Sequence, residues 1–236
     1  MNKLRIDVFS DIACPWCYVG KRRLEAALAQ FPHRDSVEVV WRAFELDSAA
    51  PRVRDPEVSY SERLSRKYGT TAAEASAMLR RMTDVAAADG LEFRFDRIRP
   101  GNTFDAHRVL HLAHELQVQD AMKERFLRAY MTEGEAIGEP EVLVRLATEA
   151  GLPEPAVREL LAGDRYAREV RADEEEARSL HISGVPFFVI AGRYGLSGAQ
   201  PSETILGALT QAWAETMEVV PVPSAEGATC GPDGCG

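Results

Sequence analysis

No stretch of the chain approaches the roughly 18 consecutive apolar residues that read as a membrane span. The first residues, Met1-Asn2-Lys3-Leu4-Arg5-Ile6-Asp7, alternate in polarity and hold no apolar core of signal-peptide length. The expected setting is the cytoplasm, where thiols are kept reduced and a structural disulfide framework is disfavoured. Positive charge is in deficit: Lys and Arg number 28 against 37 Asp and Glu, a formal net charge of −9. That balance repels phosphate backbones and anionic lipid, so neither nucleic acid nor a membrane surface is an expected partner. There are no internal repeats and no long polar tract. The 236 residues, 45% hydrophobic and 28% charged, suffice for one elaborated domain or two small ones.

Cysteine is scarce as well. The four fall into two close pairs, Cys14/Cys17 and Cys230/Cys235. In a reducing compartment such pairs read as redox or metal sites before they read as staples.

Alternation of Leu4, Ile6 and Val8 predicts a strand over 3–10, and Leu24, Ala27, Leu28 and Phe31 predict a helix over 14–30. A second strand, 37–44, completes a βαβ unit, which implies a parallel pair. Thr71 and Glu74 form a capping-box pattern for a helix ending near Gly90, followed by an extended piece at 92–95. Asn102 is placed to cap a helix to about Leu116. Further helices are expected over 119–133, 140–150 and 154–162, punctuated by Gly134, Gly151 and Gly163. A helix over 164–181 leads to strands 185–190 and 193–196, a hairpin turning at Ala191-Gly192. The helix 202–218 turns Ile205, Leu206, Leu209 and Trp213 to the core, and the chain past Val220 has linker composition. The order is βαβ, helices, ββα: an α/β thioredoxin-like fold with an all-helical domain inserted between its halves. The halves are residues 1–52 and 166–218, the insert is 53–165, and 219–236 is a flexible tail.

Cys14-Pro15-Trp16-Cys17 sits where a strand hands over to a helix. Thiol–disulfide exchange needs a thiolate, a second thiol within reach and access for the partner. The i, i+3 spacing puts both sulfurs on one helical face. Unpaired N–H groups and the positive dipole end of the first turn favour a thiolate there. Cys14 is therefore expected to be the nucleophile, with a lowered pKa, and Cys17 the resolving thiol. Pro15 fits the first helical position, and Trp16 offers a protein substrate an apolar contact. Two inert buried cysteines, or half of a zinc site completed by Cys230 and Cys235, are the competing readings.

His107, His111 and His114 recur along one helical stripe beside an apolar face of Val109, Leu110, Ala113 and Leu116. The stripe suits metal ligation, hydrogen-bonded packing, or a cleft wall formed by Asn102 and His107. The run Asp173-Glu174-Glu175-Glu176 reads as a solvated helix face. In the tail, Pro232-Asp233-Gly234 is a turn former that brings Cys230 toward Cys235. A linker of that length reaches roughly 20–25 Å. That admits a secondary redox pair exchanging electrons with Cys14/Cys17, and equally a local clip or accessory thiols.

Four segments, in order, resemble the FrnE branch of the DsbA-like oxidoreductases: Phe9 to Gly20, Phe44-Glu45-Leu46, Gly101 to Arg108, and Gly184 to Phe188 with Gly195 to Gln200. The resemblance covers nearly all of 3–215. It implies dithiol–disulfide chemistry at Cys14 and Cys17 on protein thiols and disulfides, with isomerase activity as an extension. No prosthetic cofactor is required beyond the redox-active disulfide, and glutathione is the candidate small-molecule thiol. From residue chemistry alone, Pro186 begins an edge strand or marks a bulge. A thioredoxin-like fold implies instead a cis Val185-Pro186 bond facing the dithiol, presenting the Val185 backbone to substrate. More distant relatives, the kappa-class glutathione transferases and 2-hydroxychromene-2-carboxylate isomerases, carry serine where this chain has Cys14. A glutathione-dependent transferase or isomerase is thus one alternative, and a non-enzymatic zinc-clipped interaction protein the other.

Overall fold

β1 (Leu4–Ser10) can be apolar on both faces because it lies inside a four-stranded sheet of order β2-β1-β3-β4. The structure, a computed structural model, describes residues 3–52 and 58–217. α1 (Pro15–Gln30) connects β1 to β2 (Val37–Ala43), which returns parallel in the register Leu4 opposite Val37 to Ser10 opposite Ala43. β3 (Phe187–Ile190) runs antiparallel to β1, and β4 (Tyr194–Ser197) antiparallel to β3. Their turn holds Ala191 and Gly192 at φ 53° and 66°, the left-handed pair a tight hairpin requires.

The sheet is covered on both faces. Leu4, Ile6, Val8, Phe188 and Ile190 pack against Leu24, Ala27 and Phe31 of α1 and Ile205, Leu209 and Ala212 of the closing helix, α9 (Ser202–Met217). Phe9 turns to the other face, where it meets Ala177 of α8 (Ala167–Ser179) and Ile182. Between β2 and α8 lie six helices: α2 (Tyr60–Tyr68), α3 (Ala72–Ala88), α4 (Phe104–Glu115), α5 (Gln119–Arg128), α6 (Pro140–Glu149) and α7 (Glu154–Ala162). They share a second core that includes Val109, Leu112, Met122, Phe126, Leu143 and Leu160. Ile12, Tyr18 and Val19 belong to that second core, although α1 otherwise packs on the sheet. The start of α1 therefore lies where the two cores meet.

The free edge of β2 is closed from the helical side. The Gln119 side chain accepts from Trp41 N (2.9 Å) and donates to Trp41 O (2.9 Å), as a neighbouring strand would. Asp173 accepts from Ala43 N at 2.9 Å.

Several sequence expectations are corrected. α2 was not anticipated, although Ser59 and Glu62 form a capping box like that of Thr71 and Glu74. Residues 92–95 join no strand. They are held by Arg94 N to Met131 O (2.8 Å) and Thr132 Oγ1 to Glu92 O (2.7 Å), both on the single π-helical turn Ala129–Glu133 that ends α5 early. Thr103, not Asn102, occupies the cap position of α4, while Asn102 Oδ1 accepts from Phe104 N at 2.9 Å. Leu116 is exposed rather than on the apolar face. Trp213 packs against the sheet core as expected, half-buried and stacked on His33 with ring centroids 4.3 Å apart.

Candidate active site

Asp11 shapes the turn that delivers the cysteines. Its carboxylate accepts from Ala13 N (3.3 Å) and Leu46 N (2.8 Å), and its carbonyl accepts from Cys14 N (3.3 Å). One buried side chain thus joins the β1–α1 turn to the segment after β2. Cys14 is the cap residue of α1, in extended backbone, and Pro15 follows at the first helical position, where its missing N–H leaves nothing unpaired. Cys17 N donates to Cys14 O at 3.1 Å. Both cysteines are reduced, with Cys14 5% exposed and Cys17 fully covered.

The Val185–Pro186 peptide bond is cis, and the Cys14 thiol points at Val185 O, 3.4 Å away. Pro186 approaches this closely because position 20 is glycine. A Cβ on Gly20 would lie 2.9 Å from Pro186 Cγ.

The charge distribution reverses the expectation for Cys14. Its thiol is pushed well above the ordinary cysteine value, first by interaction with the Cys17 sulfur and then by burial. Burial also opposes ionisation of Cys17, but the Cys14 S–H, the Lys123 ammonium and the Ser10 hydroxyl together hold its pKa below the usual value. The first negative charge of the pair therefore settles on Cys17. The dipole argument fails for Cys14 because its S–H is engaged by the Cys17 sulfur and burial opposes its ionisation, while Lys123, absent from any local motif, adds to the groups that favour charge on Cys17.

Lys123 is fully covered, donates to Ser10 O at 3.4 Å, and stands 5.5 Å from the centroid of the Trp41 ring. Burial depresses its pKa to about 8, with Cys17, Asp11 and Cys14 opposing the shift. Burial likewise acts to raise the Asp11 carboxyl, yet His107, the Leu46 N–H and Lys123 bring it below its ordinary value. Neither Asp11 nor Lys123 stood out in the sequence. Asp11 carries the weak signal of an Asx residue just before a helix start; Lys123 carries none.

The dithiol opens on a cleft of about 860 Å³, lined by Cys14, Pro15, Trp16 and Val185 on one side and by α2 and α3 residues on the other. Trp16 is 45% exposed at its mouth. Pro186 borders the site through Gly20 and Val185. His107 and Asn102 do not line the cleft. His107 is buried behind Asp11, with Nε2 3.4 Å from Oδ1, and burial lowers its pKa despite that carboxylate. Asn102 is spent on the start of α4 and on Glu45, 3.4 Å away. The histidine stripe does not converge: His111 faces Asp173 at 3.1 Å and His114 is exposed. Asp173 is correspondingly buried rather than part of a solvated acidic face. Cys230 and Cys235 lie outside the described residues.

Comparison with known proteins agrees with this architecture. The sequence profile of the DsbA-like thioredoxin domain matches residues 5–210. The chain belongs to that family, the DsbA-like thiol–disulfide oxidoreductases. It is similar to the crystal structure of a probable DsbA oxidoreductase from Streptomyces coelicolor, at 47% identity and a TM-score of 0.84 over 99% of this chain and 98% of that one. It is 29% identical over 193 residues to the uncharacterized protein YwbO of Bacillus subtilis, covering 79% of this chain and 86% of that protein. The cytosolic disulfide reductase DsbM from Pseudomonas aeruginosa, solved with GSH, shares the fold at 18% identity and a TM-score of 0.60, over 91% of this chain and 98% of that one.

Proposed function

We propose that the chain exchanges disulfides with protein substrates through Cys14 and Cys17, in a reducing compartment such as the cytoplasm. The observation that carries this reading is the placement of Cys14. It is the less covered sulfur of the pair, beside Val185 O and Pro186 at the cleft mouth.

The charge held on Cys17 passes to Cys14 by transfer of one proton between the adjacent sulfurs. The Cys14 thiolate then attacks a substrate disulfide. A Cys14–substrate bond forms as the substrate S–S bond breaks, and the released sulfur takes a proton from water. Cys17, its ionisation supported by Lys123, attacks Cys14 Sγ and expels the second substrate sulfur, which takes up the proton that Cys17 gives up. The substrate gains two electrons and the Cys14–Cys17 disulfide forms. Run backward, the same steps oxidise a substrate dithiol. Stopped at the mixed disulfide, they permit isomerisation. Trp16 and the Val185 backbone are the substrate contacts nearest the reacting sulfur.

Insulin-disulfide reduction with dithiothreitol tests the reading. The wild type should accelerate it and Cys14→Ser should not, while Cys17→Ser should accumulate a mixed disulfide visible by mass. Equal rates for wild type and Cys14→Ser would overturn it.

A further inference from the structure

The cleft extends over a helical hairpin that no step of sulfur exchange requires. α2 and α3 each begin with a capping box, so the first turn of each helix is fixed. They turn Tyr60, Leu64, Met78, Leu79 and Met82 into the cleft, joined by Phe95. Paired methionines give an apolar wall that adapts to differently shaped side chains. At about 860 Å³ the cleft is near the top of the range for pockets that enclose a ligand, roughly 300–1,000 Å³.

The charge on this hairpin runs against the rest of the molecule. The chain carries −9 overall, and most of its arginines sit in salt bridges, among them Arg22, Arg42, Arg125, Arg145, Arg158 and Arg171. On α2 and α3, by contrast, Arg66, Lys67, Arg80 and Arg81 form no salt bridge among the described residues. Glu62 and Glu74 are held by the capping boxes, with Glu62 still in electrostatic reach of Arg66. Lys67 and Arg81 are exposed and line the cleft. An apolar trough whose α2–α3 wall carries exposed Lys67 and Arg81, with Asp47 the exposed carboxylate elsewhere in its lining, matches an occupant that is apolar and acidic together on the α2–α3 side.

We infer that the α2–α3 hairpin selects the substrate: a polypeptide segment whose apolar side chains enter the cleft while carboxylates flanking its cysteine meet Lys67 and Arg81. This rests on the exchange reaction proposed above for its setting, and the binding half of the test is independent of that reaction. The committed occupant is a chain segment rather than a free thiol.

The test uses peptides with one apolar core and one cysteine, flanked by Asp/Glu, by Ser/Asn or by Lys, each joined to a chromophoric thiol as a mixed disulfide. The expected result is kcat/KM falling from acidic to neutral to basic, with acidic over basic on the order of 5- to 10-fold at low salt for two exposed charge contacts. Raising the ionic strength should shrink the ratio. Lys67→Glu/Arg81→Glu should invert it, whereas Arg34→Glu, away from the cleft, should not. The same peptides with serine for cysteine, followed by fluorescence anisotropy, should bind in the same order without exchange. Equal anisotropy for acidic and basic peptides overturns the inference whatever the fate of the exchange reaction. Displacement of a bound acidic peptide by glutathione as readily as by that peptide would also overturn it, assigning the cleft to a small thiol. Loss of exchange with the binding order intact would sink the proposed reaction and leave the selection standing.

Discussion

Lys123 is one of the groups that favour charge on Cys17, after the Cys14 S–H and before the Ser10 hydroxyl. Lys123 comes from α5, 106 positions after Cys17 in the sequence, and nothing in its neighbourhood marks it as different from other helix lysines. The pair Cys14/Cys17 stands out because its chemistry is local. The place of Pro186 beside it follows only from the fold resemblance, since local chemistry reads that proline as an edge-strand start or a bulge. The cation that biases the pair does not stand out, because it is supplied by tertiary packing. Lys123→Met should therefore raise the Cys17 pKa, because a nearby opposite charge that favours the thiolate is lost, read from the ultraviolet absorbance of the thiolate against pH. No shift would mean that Lys123 does not act on Cys17. A second consequence concerns stability, and its sign follows from proton counting. With a pKa of about 8 in the folded protein against an ordinary 10.5, the unfolded chain binds more protons between those values. Stability contributed at this position then rises with pH across that window and is lowest below it. In the disulfide form the Cys17 and Cys14 charges that raise the Lys123 pKa are gone, so wild type should gain stability relative to Lys123→Met as pH climbs toward 10.5 from a point below about 8. Urea denaturation at a series of pH values measures it, and parallel curves for the two proteins would refute it.

At the scale of the elements, the strands and most helices could be read from periodicity, and the failures have identifiable causes. α2 is hard to read from the sequence because, at nine residues, its apolar stripe of Tyr60 and Leu64 is short, set among charged residues and not fully buried. Its capping box was the better signal. The end of α5 was misplaced because a π-helical turn continues the helical sequence pattern while changing its hydrogen bonding. α1 shows the opposite case, a helix whose interior contains a residue chosen for its neighbour. Glycine at position 20 costs helix stability, about 1 kcal/mol relative to alanine by intrinsic preference. Alanine there would place a Cβ 2.9 Å from Pro186 Cγ and 3.3 Å from Phe188 Cζ, so the packing conflict, roughly 1–3 kcal/mol, outweighs the gain. Gly20→Ala should lower the melting temperature and slow insulin reduction together. A more stable, fully active variant would show that Pro186 can withdraw without consequence.

The whole molecule is two cores that share the first turn of α1, and the dithiol lies on that seam. The sequence conveyed the division, since helices interrupt the βαβ and ββα halves, but not how the parts are joined. The join is polar. Lys21, buried in α1, reaches Asp120 at 3.1 Å and Glu124 at 3.4 Å on α5, and Gln119 closes the edge of β2 at Trp41. Such contacts have no periodicity and leave no trace in composition. Gln119 carries the more severe consequence, because both Trp41 backbone groups are paired with one side chain and a buried strand edge has no other donor or acceptor at hand. Gln119→Leu keeps an apolar side chain of similar size at the position while orphaning a buried N–H and a buried C=O. At about 1–3 kcal/mol for each unsatisfied group, the loss should be roughly 2–6 kcal/mol. That is a large share of the roughly 5–15 kcal/mol that stabilises a typical folded protein. The expected outcome is a lowered urea midpoint together with faster hydrogen exchange at Trp41 N–H. Unchanged exchange at that amide would mean the strand edge is sealed without Gln119, by the neighbouring contacts of Asp120 with Trp41 and Asp173 with Ala43.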